Sequence, residues 1–303
     1  RRLLVVVDTV AGSSVVVVDP VARRVLRRVP LPTAPWTTAA TKEELVLLLA
    51  ERGSFAPARV LSIDAEGQAR TVTVERILAG TVVDESSTRY RAHTIQPGLA
   101  GDPDGRRAFL VPASGPVAEI DLRTLDVLYH ELDRPSLLGR FLRWSTPAAQ
   151  AKELEGPFRE ARWLGDGMLA VSGMDYSLET RNEVTVPVGT PAGVRLIDTR
   201  SWDSRMLEPQ ASRFAVAPGL LIAQGGRWDG GLGPGLSAFG LDGRKRWQLY
   251  AGEYRWLEAA GVVGYAYTDG ARRDVVDLAA GVVVMRGVDG RLSQLLADRA
   301  SHW

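Results

Sequence analysis

Apolar residues recur along this chain in short runs separated by turn-forming residues. The stretch SSVVVVDPVARRVLRRVPL, residues 13–31, shows the pattern: a run of valines, a turn after Asp19, and a second run that alternates apolar residues with arginine. Alternation with a period of two is typical of a β-strand, and aspartate and proline are typical of the turns between strands. The pattern therefore predicts a β-hairpin.

This hairpin pattern recurs five more times. In every copy a strand ends at an aspartate, three to five turn-prone residues follow, and a second strand begins; the aspartates are Asp19, Asp64, Asp121, Asp198, Asp242 and Asp277. An aspartate in this place can accept hydrogen bonds from the backbone of the turn that it opens. We therefore predict a structural role for the six carboxylates and no catalytic one.

Each hairpin follows another apolar run, and most copies have one more short strand before that run. The repeating unit is then four antiparallel strands, called a, b, c and d, and such units at about 40–50 residues are typical of a β-propeller. We predict an all-β protein, a single domain over residues 1–303 that forms a six-bladed β-propeller. Seven blades are the alternative, if the 77-residue step from Asp121 to Asp198 contains a degenerate blade.

The two ends of the chain complement each other. The first copy of the repeat lacks strand a, and RLSQLLAD, residues 291–298, is a predicted strand without a unit of its own. Counted through the C-terminus and on from residue 1, the step from Asp277 to Asp19 is 45 residues, which is one repeat. We therefore expect a closing blade shared by the N- and C-termini, which would remove the open edge of a linear array.

Two copies of the repeat resemble known propeller repeats. DPDGRRAFLVPASGPVAEIDLRTLDVL, residues 102–128, resembles the YVTN-type repeat of bacterial propellers, and LSAFGLDGRKRWQLY, residues 236–250, resembles the quinoprotein dehydrogenase repeat with its late tryptophan, Trp247. The resemblance implies a scaffold and no particular activity. The quinoprotein enzymes would imply a quinone held with calcium, but the chain has no ring of matching repeats and no cluster of calcium ligands. We predict no cofactor.

Composition excludes several classes of function. The net charge of +1 gives no global attraction to nucleic acid or to an anionic membrane, and no apolar run approaches the roughly 20 residues that span a bilayer. The chain has no cysteine, and its three histidines lack metal-ligand spacing, so we predict no metal site. The chain opens on Arg1-Arg2 and enters a strand at once. We expect a removed signal peptide or lipid anchor, an extracytoplasmic location and a monomer.

The longest connections all fall on one face of the predicted propeller. Residues 80–97 and 133–157 join strand d to strand a, residues 173–193 and 225–235 join strand b to strand c, and both kinds of connection open on the same side. We call this side the long-loop face, and the side with the short a–b and c–d turns the turn face. Insertions that crowd one face of a repeat protein usually build its binding surface.

The candidate binding residues form two sets. One set lies in the long connections: Arg91, His93, Asp175, Tyr176, Arg227, Trp228 and Asp229. The other consists of Arg159, Arg213 and Arg255, which each begin a strand a six residues before a glycine. Equal spacing predicts that the three arginines lie at one height around the channel, where an anion could bridge them; Glu160, Glu253 and Glu258 are the possible internal partners.

The chain contains no Gly-x-Ser-x-Gly motif and no phosphate-binding loop. We therefore predict a non-enzymatic binding propeller that recognises a partner protein or a small ligand on its long-loop face, an anionic ligand if the arginines converge. One alternative is a hydrolase or lyase with an acidic site at the mouth of the central channel. The other is a structural subunit of an assembly.

Overall fold

The computed structural model describes residues 2–10, 12–84, 91–132, 157–181, 184–225, 235–249, 254, 256–267 and 272–289. Every regular element in these residues is a β-strand, and the strands pair into six antiparallel sheets that follow one another along the chain. The all-β prediction is therefore confirmed.

The first three sheets contain twelve strands. The first sheet has three strands: β1 (Leu3–Thr9), β2 (Gly12–Asp19) and β3 (Arg24–Pro30). The second has five: β4 (Pro35–Ala40), β5 (Glu44–Leu49), β6 (Phe55–Asp64), β7 (Ala69–Asp84) and β8 (Arg91–Ile95). The third has four: β9 (Gly98–Asp102), β10 (Arg107–Val111), β11 (Val117–Asp121) and β12 (Val127–His130).

The last three sheets contain thirteen strands. The fourth has β13 (Phe158–Gly165), β14 (Met168–Arg181), β15 (Val184–Pro191), β16 (Val194–Asp198) and β17 (Ser204–Glu208). The fifth has β18 (Arg213–Ala217), β19 (Leu220–Gln224), β20 (Leu236–Gly240) and β21 (Lys245–Leu249). The sixth has β22 (Trp256–Ala260), β23 (Val263–Tyr267), β24 (Arg272–Asp277) and β25 (Val282–Asp289). Apart from the extra strands β8 and β15, the strands pair in the predicted order a-b-c-d.

Neighbouring sheets pack face to face through apolar clusters. Leu110 of the third sheet packs with Val46 and Val60 of the second, and on the other side Phe109 packs with Leu169 and Ile197 of the fourth. Similar clusters join the first sheet to the second, the fourth to the fifth, and the fifth to the sixth. Because a middle strand is covered on both faces, its sequence is an unbroken apolar run rather than an alternating one.

The outer faces of the first and sixth sheets are less covered. Leu3 of β1 is 52% exposed, and Trp256 and Met285 of the sixth sheet are 47% and 54% exposed. Residues 291–298, which we predict to complete the first sheet, lie outside the described residues, as do residues 133–156, where a seventh blade could lie. Ring closure, the count of six blades and the single domain therefore stay predictions.

The six aspartates have the predicted structural role. In each of them Oδ1 accepts a hydrogen bond from the backbone N–H two residues later; the donors are Val21, Glu66, Arg123, Arg200, Arg244 and Ala279, at 2.7–3.0 Å. The N–H of Ala22 lowers the pKa of Asp19, and the N–H of Arg244 lowers the pKa of Asp242, because a donated hydrogen bond stabilises the ionised carboxylate.

Candidate functional site

Two of the four long connections contain β-hairpins. β7 continues past its sheet and pairs with β8 from Gly80 to Asp84, and β14 continues and pairs with β15 from Met174 to Arg181. β7 is a strand d and β14 is a strand b, so both hairpins extend on the long-loop face. Most of the other two connections, residues 133–156 and 226–234, lies outside the described residues.

Each hairpin leaves its sheet at a glycine that no other residue could replace without a clash. A Cβ at Gly80 would lie 2.2 Å from the carbonyl oxygen of Ser54, and a Cβ at Gly173 would lie 2.1 Å from the carbonyl oxygen of Phe158. Only glycine permits so close an approach of two backbones. These glycines are the residues at which the sequence first indicated long connections.

A cavity of about 1050 Å³ lies among the inner strands of four successive sheets. Its walls are formed by residues 37–40 of β4, residues 99–101 of β9, residues 158–163 of β13, and Thr94, Gln96, Pro103, Tyr176 and Arg213. Strands a of a propeller surround its central channel, so this cavity lies on the side where we expect the channel.

The connection after β8 is held against the start of β13. The Gln96 N–H donates to the carbonyl oxygen of Pro157 at 3.1 Å, and the Arg159 N–H donates to the carbonyl oxygen of Gln96 at 2.8 Å. These two bonds join the end of the second sheet to the fourth, and Gln96 and Arg159 both line the cavity.

The Arg159 side chain is buried and engaged by four protein acceptors. Its Nη2 donates to Asp175 Oδ1 at 2.7 Å and to the carbonyl oxygen of Ala113 at 3.1 Å. Its Nη1 donates to the carbonyl oxygens of Phe158 and Met174 at 2.9 and 3.2 Å. Arg159 thereby ties the third sheet to the base of the β14–β15 hairpin, and its carboxylate partner is Asp175 rather than Glu160.

Arg213 differs from Arg159 although both stand six residues before a glycine. The Arg213 side chain is exposed to the cavity, and among the described residues it makes no side-chain hydrogen bond and no salt bridge. β13 contains a bulge between Trp163 and Gly165, whereas β18 pairs with β19 without a register shift. A bulge inserts one residue into a strand. The six-residue spacing to the following glycine therefore does not place Arg159 and Arg213 at the same height.

Glu160 and Arg162 also line the cavity, from alternate positions on β13. The walls around Glu160 remove part of its hydration although solvent reaches the side chain. This desolvation raises the pKa of Glu160, and the positive charges of Arg213 and Arg162 oppose the increase. Sequence reasoning named Glu160 only as a possible partner and missed Arg162; the signal was the alternation of charged and apolar residues in REARW.

The remaining candidates lie in different places. Tyr176 lines the cavity from β14, and Asp175 lies beside it, 52% exposed at its side chain. His93 is half-buried in β8 opposite Val82, apart from the cavity wall, and Arg91 pairs with Asp84 at the far end of that hairpin. The residues Arg227, Trp228, Asp229 and Arg255 lie outside the described residues.

Metal sites and membrane spans are both missing from the part of the chain that the structure describes. Within the described ranges, no group of three or more histidine, aspartate or glutamate side chains could hold a metal ion. In the same ranges there is no helix long and apolar enough to cross a membrane.

Comparison with known proteins identifies the fold. No protein-family model and no curated protein sequence matches the chain. BamB from Moraxella catarrhalis has a similar structure, with a TM-score of 0.50 and 14% identity over 93% of this chain and 70% of that one. The β-propeller domain of Cps50 (Swd1) from Myceliophteria thermophila has a TM-score of 0.50 and 13% identity over 95% and 83%.

At these identities the similarity shows the fold alone. Together with the six successive antiparallel sheets of three to five strands, it shows that this chain has a β-propeller fold. The repeat family of the blades, YVTN-type or quinoprotein-like, stays a prediction.

Proposed function

We propose that this protein is a non-enzymatic binding propeller that takes a small ligand into its central cavity from the long-loop face. The observation that carries the proposal is the cavity itself, with a volume of about 1050 Å³ and with Tyr176 of the β14–β15 hairpin in its wall. Ligand sites in proteins are concave and typically of about 300–1,000 Å³. The Arg159–Asp175 pair supports the proposal because it holds the base of that hairpin in place.

The chemistry of the walls favours binding over catalysis. Hydroxyl and amide groups of Thr37, Thr38 and Gln96 line the cavity together with the guanidinium groups of Arg162 and Arg213. Glu160 is the single carboxylate in the described part of the wall. A hydrolase or lyase of the kind considered above needs a general acid and a general base, whereas a binding site needs only donors and acceptors that match its ligand.

We assign the other candidate residues to the rim of the proposed site. Arg91, His93, Arg227, Trp228, Asp229 and Arg255 would contact the outer part of a ligand or a partner protein that covers the mouth. An extracytoplasmic location and a monomeric state complete the proposal. Cell fractionation tests the location, and light scattering on the purified protein tests the monomer.

A cavity-filling variant tests the function. Thr38 is an exposed residue of the cavity wall on β4, so Thr38→Trp should fill part of the cavity without disturbing the core. Thr71→Trp places the same side chain on the exposed surface of the outer strand β7 and is the matched control. We would measure the melting temperature of each protein with a panel of small metabolites, and recover each ligand for mass spectrometry.

We expect some ligands to raise the melting temperature of the parent and of Thr71→Trp, because binding to the native state stabilises it by mass action. Thr38→Trp should lose this response, and the ligand should be recovered unchanged. Equal responses in the two variants, or no response in the parent, would overturn the proposal. A ligand recovered as a product would favour the enzymatic alternative.

A further inference from the structure

The alternation of side chains along β13 separates two groups of residues. Trp163 faces the third sheet, where it stacks on Phe109 with ring centroids 5.4 Å apart, and Arg159 reaches the carbonyl oxygen of Ala113 in the connection between β10 and β11 of that sheet. Side chains at alternate positions of a strand point to opposite sides. Glu160 and Arg162 therefore point away from the third sheet, toward the fifth, and both line the cavity.

Arg213 lines the same cavity from the fifth sheet, at the start of β18. The charges of Arg213 and Arg162 both act on the carboxylate of Glu160. Neither arginine forms a salt bridge within the described residues. Two cations thus face one carboxylate, which leaves an excess of positive charge in a confined space.

No other ionised group in the described wall changes this balance. Arg159 is paired with Asp175, Ser172 opposite Glu160 on β14 is uncharged, and the remaining residues of the described wall carry no carboxylate, amine or guanidinium group. The adjoining residues Asp229 and Arg255 lie outside the described residues.

We propose that Arg162 and Arg213 form a binding site for a small oxyanion, and that the ionised Glu160 competes with this anion for the two arginines. The inference rests on the proposed function, because it requires that the cavity receives a ligand. When Glu160 takes up a proton its negative charge disappears, and both guanidinium groups become free to bind the anion. Binding of the anion is therefore coupled to protonation of Glu160.

The chemistry of the site defines the class of ligand. A guanidinium group binds carboxylate, phosphate and sulfate oxygens through two parallel N–H donors, and such charge-assisted hydrogen bonds are stronger than neutral ones. The ligand would be a small molecule with at least one of these groups. The desolvation of Glu160 supports the coupling, since a carboxyl group with a raised pKa takes up its proton closer to neutral pH than an ordinary glutamate does.

Sulfate is the probe for the test, because its charge stays constant between pH 5.5 and pH 8.0. Its affinity for the full chain would be measured by isothermal titration calorimetry at these two pH values. Malonate at a single pH would then show whether a planar carboxylate binds better than a tetrahedral anion. The variants are Glu160→Gln, Arg162→Gln and Arg213→Gln, with Glu75→Gln and Arg28→Gln as controls at exposed positions of β7 and β3.

We expect the parent to bind sulfate at least about fivefold more tightly at pH 5.5 than at pH 8.0, since uptake of one proton couples affinity to pH. Glu160→Gln should bind at pH 8.0 at least as tightly as the parent does at pH 5.5, and its affinity should not change with pH. Arg162→Gln and Arg213→Gln should lose binding at both pH values. Glu75→Gln and Arg28→Gln should behave like the parent.

Two results would overturn the inference. If Glu160→Gln keeps the pH dependence of the parent, Glu160 is not the competing group. If the arginine variants bind sulfate like Arg28→Gln, the anion does not bind between them. Circular dichroism and the melting temperature of each variant without ligand show that it is folded. The proposed function is tested by a different variant. It fails if Thr38→Trp keeps the ligand responses of the parent, whatever the sulfate measurements show.

Discussion

The turn face and the long-loop face of this propeller are held together by different kinds of interaction. On the turn face the c–d turns are closed by aspartates that accept a hydrogen bond from the residue two positions later, as Asp121 does from Arg123 at 2.7 Å. On the long-loop face Arg159 donates to Ala113, 46 residues earlier in the chain, and to Asp175 of the next strand. The first face depends on neighbours in sequence and the second on neighbours in space.

This difference explains why one face is regular and the other is not. A turn that needs only its own few residues can be repeated in every blade without reference to the rest of the ring. A hairpin that leaves the sheet must find partners on adjacent blades, so each one has its own solution. Residues whose contacts differ from blade to blade, such as Arg159 and Arg213, are therefore the residues that shape the cavity.

The largest loss of stability is expected when the predicted ring of blades is opened, because both faces depend on its closure. Deletion of residues 291–303 should leave the edge of β1 open beside the half-exposed Leu3 and should cost roughly 3 kcal/mol or more of unfolding free energy, comparable to the loss of a large buried side chain. Denaturant unfolding measures the change, and deletion of residues 299–303 alone is the control. If both truncated proteins unfold like the full chain, the closure is wrong.

The next effect concerns the base of the β14–β15 hairpin. Gly173→Ala should lower the unfolding free energy by roughly 3 kcal/mol, because its Cβ would meet the carbonyl oxygen of Phe158 at 2.1 Å and Arg159 Cδ at 2.9 Å. Gly12→Ala separates this clash from backbone strain, since Gly12 has a φ of +127° but a Cβ added there would meet nothing within 4 Å. Equal losses in thermal or denaturant unfolding would show that strain and not the close approach is decisive.

Two arginines with the same spacing in sequence should differ in their effect on stability. Arg159→Met leaves the carbonyl oxygens of Ala113 and Met174 without their donor and should cost about 2 kcal/mol. Arg213→Met should change the unfolding free energy by no more than about 0.5 kcal/mol, as is usual for an exposed residue away from structural contacts. Similar losses in both variants would mean that Arg213 is also a structural residue.

A smaller effect than that of Arg159→Met is expected on the turn face. Asp277→Ala removes the acceptor of the Ala279 and Ala280 N–H groups, at 2.9 and 3.1 Å, and should cost about 1 kcal/mol. Asp277→Asn keeps a side-chain oxygen in the same place and should lose less. If Asp277→Ala lost more unfolding free energy than Arg159→Met, the turn face would depend more strongly on its side-chain hydrogen bonds than the long-loop face does.

The sequence by itself determined the strands a, b, c and d of the repeating units, their order within each sheet and the role of the six aspartates, but it did not indicate the hairpin strands β8 and β15. These features depend on alternation and on interactions within a few residues, so they can be recognised without knowing what lies next to each sheet. It also located the long connections, since Gly80 and Gly173 mark where the hairpins leave their sheets.

Only the tertiary structure decided which candidate residues meet. The bulge between Trp163 and Gly165 makes Arg159 and Arg213 inequivalent, and no local pattern indicates it. The partners of Arg159 come from the third sheet and from β14, and the cavity that joins Glu160, Arg162 and Arg213 exists only because inner strands of separate sheets converge. The physical reason is range: a turn is stabilised by adjacent residues, whereas a site between blades is formed by residues that chain folding brings together.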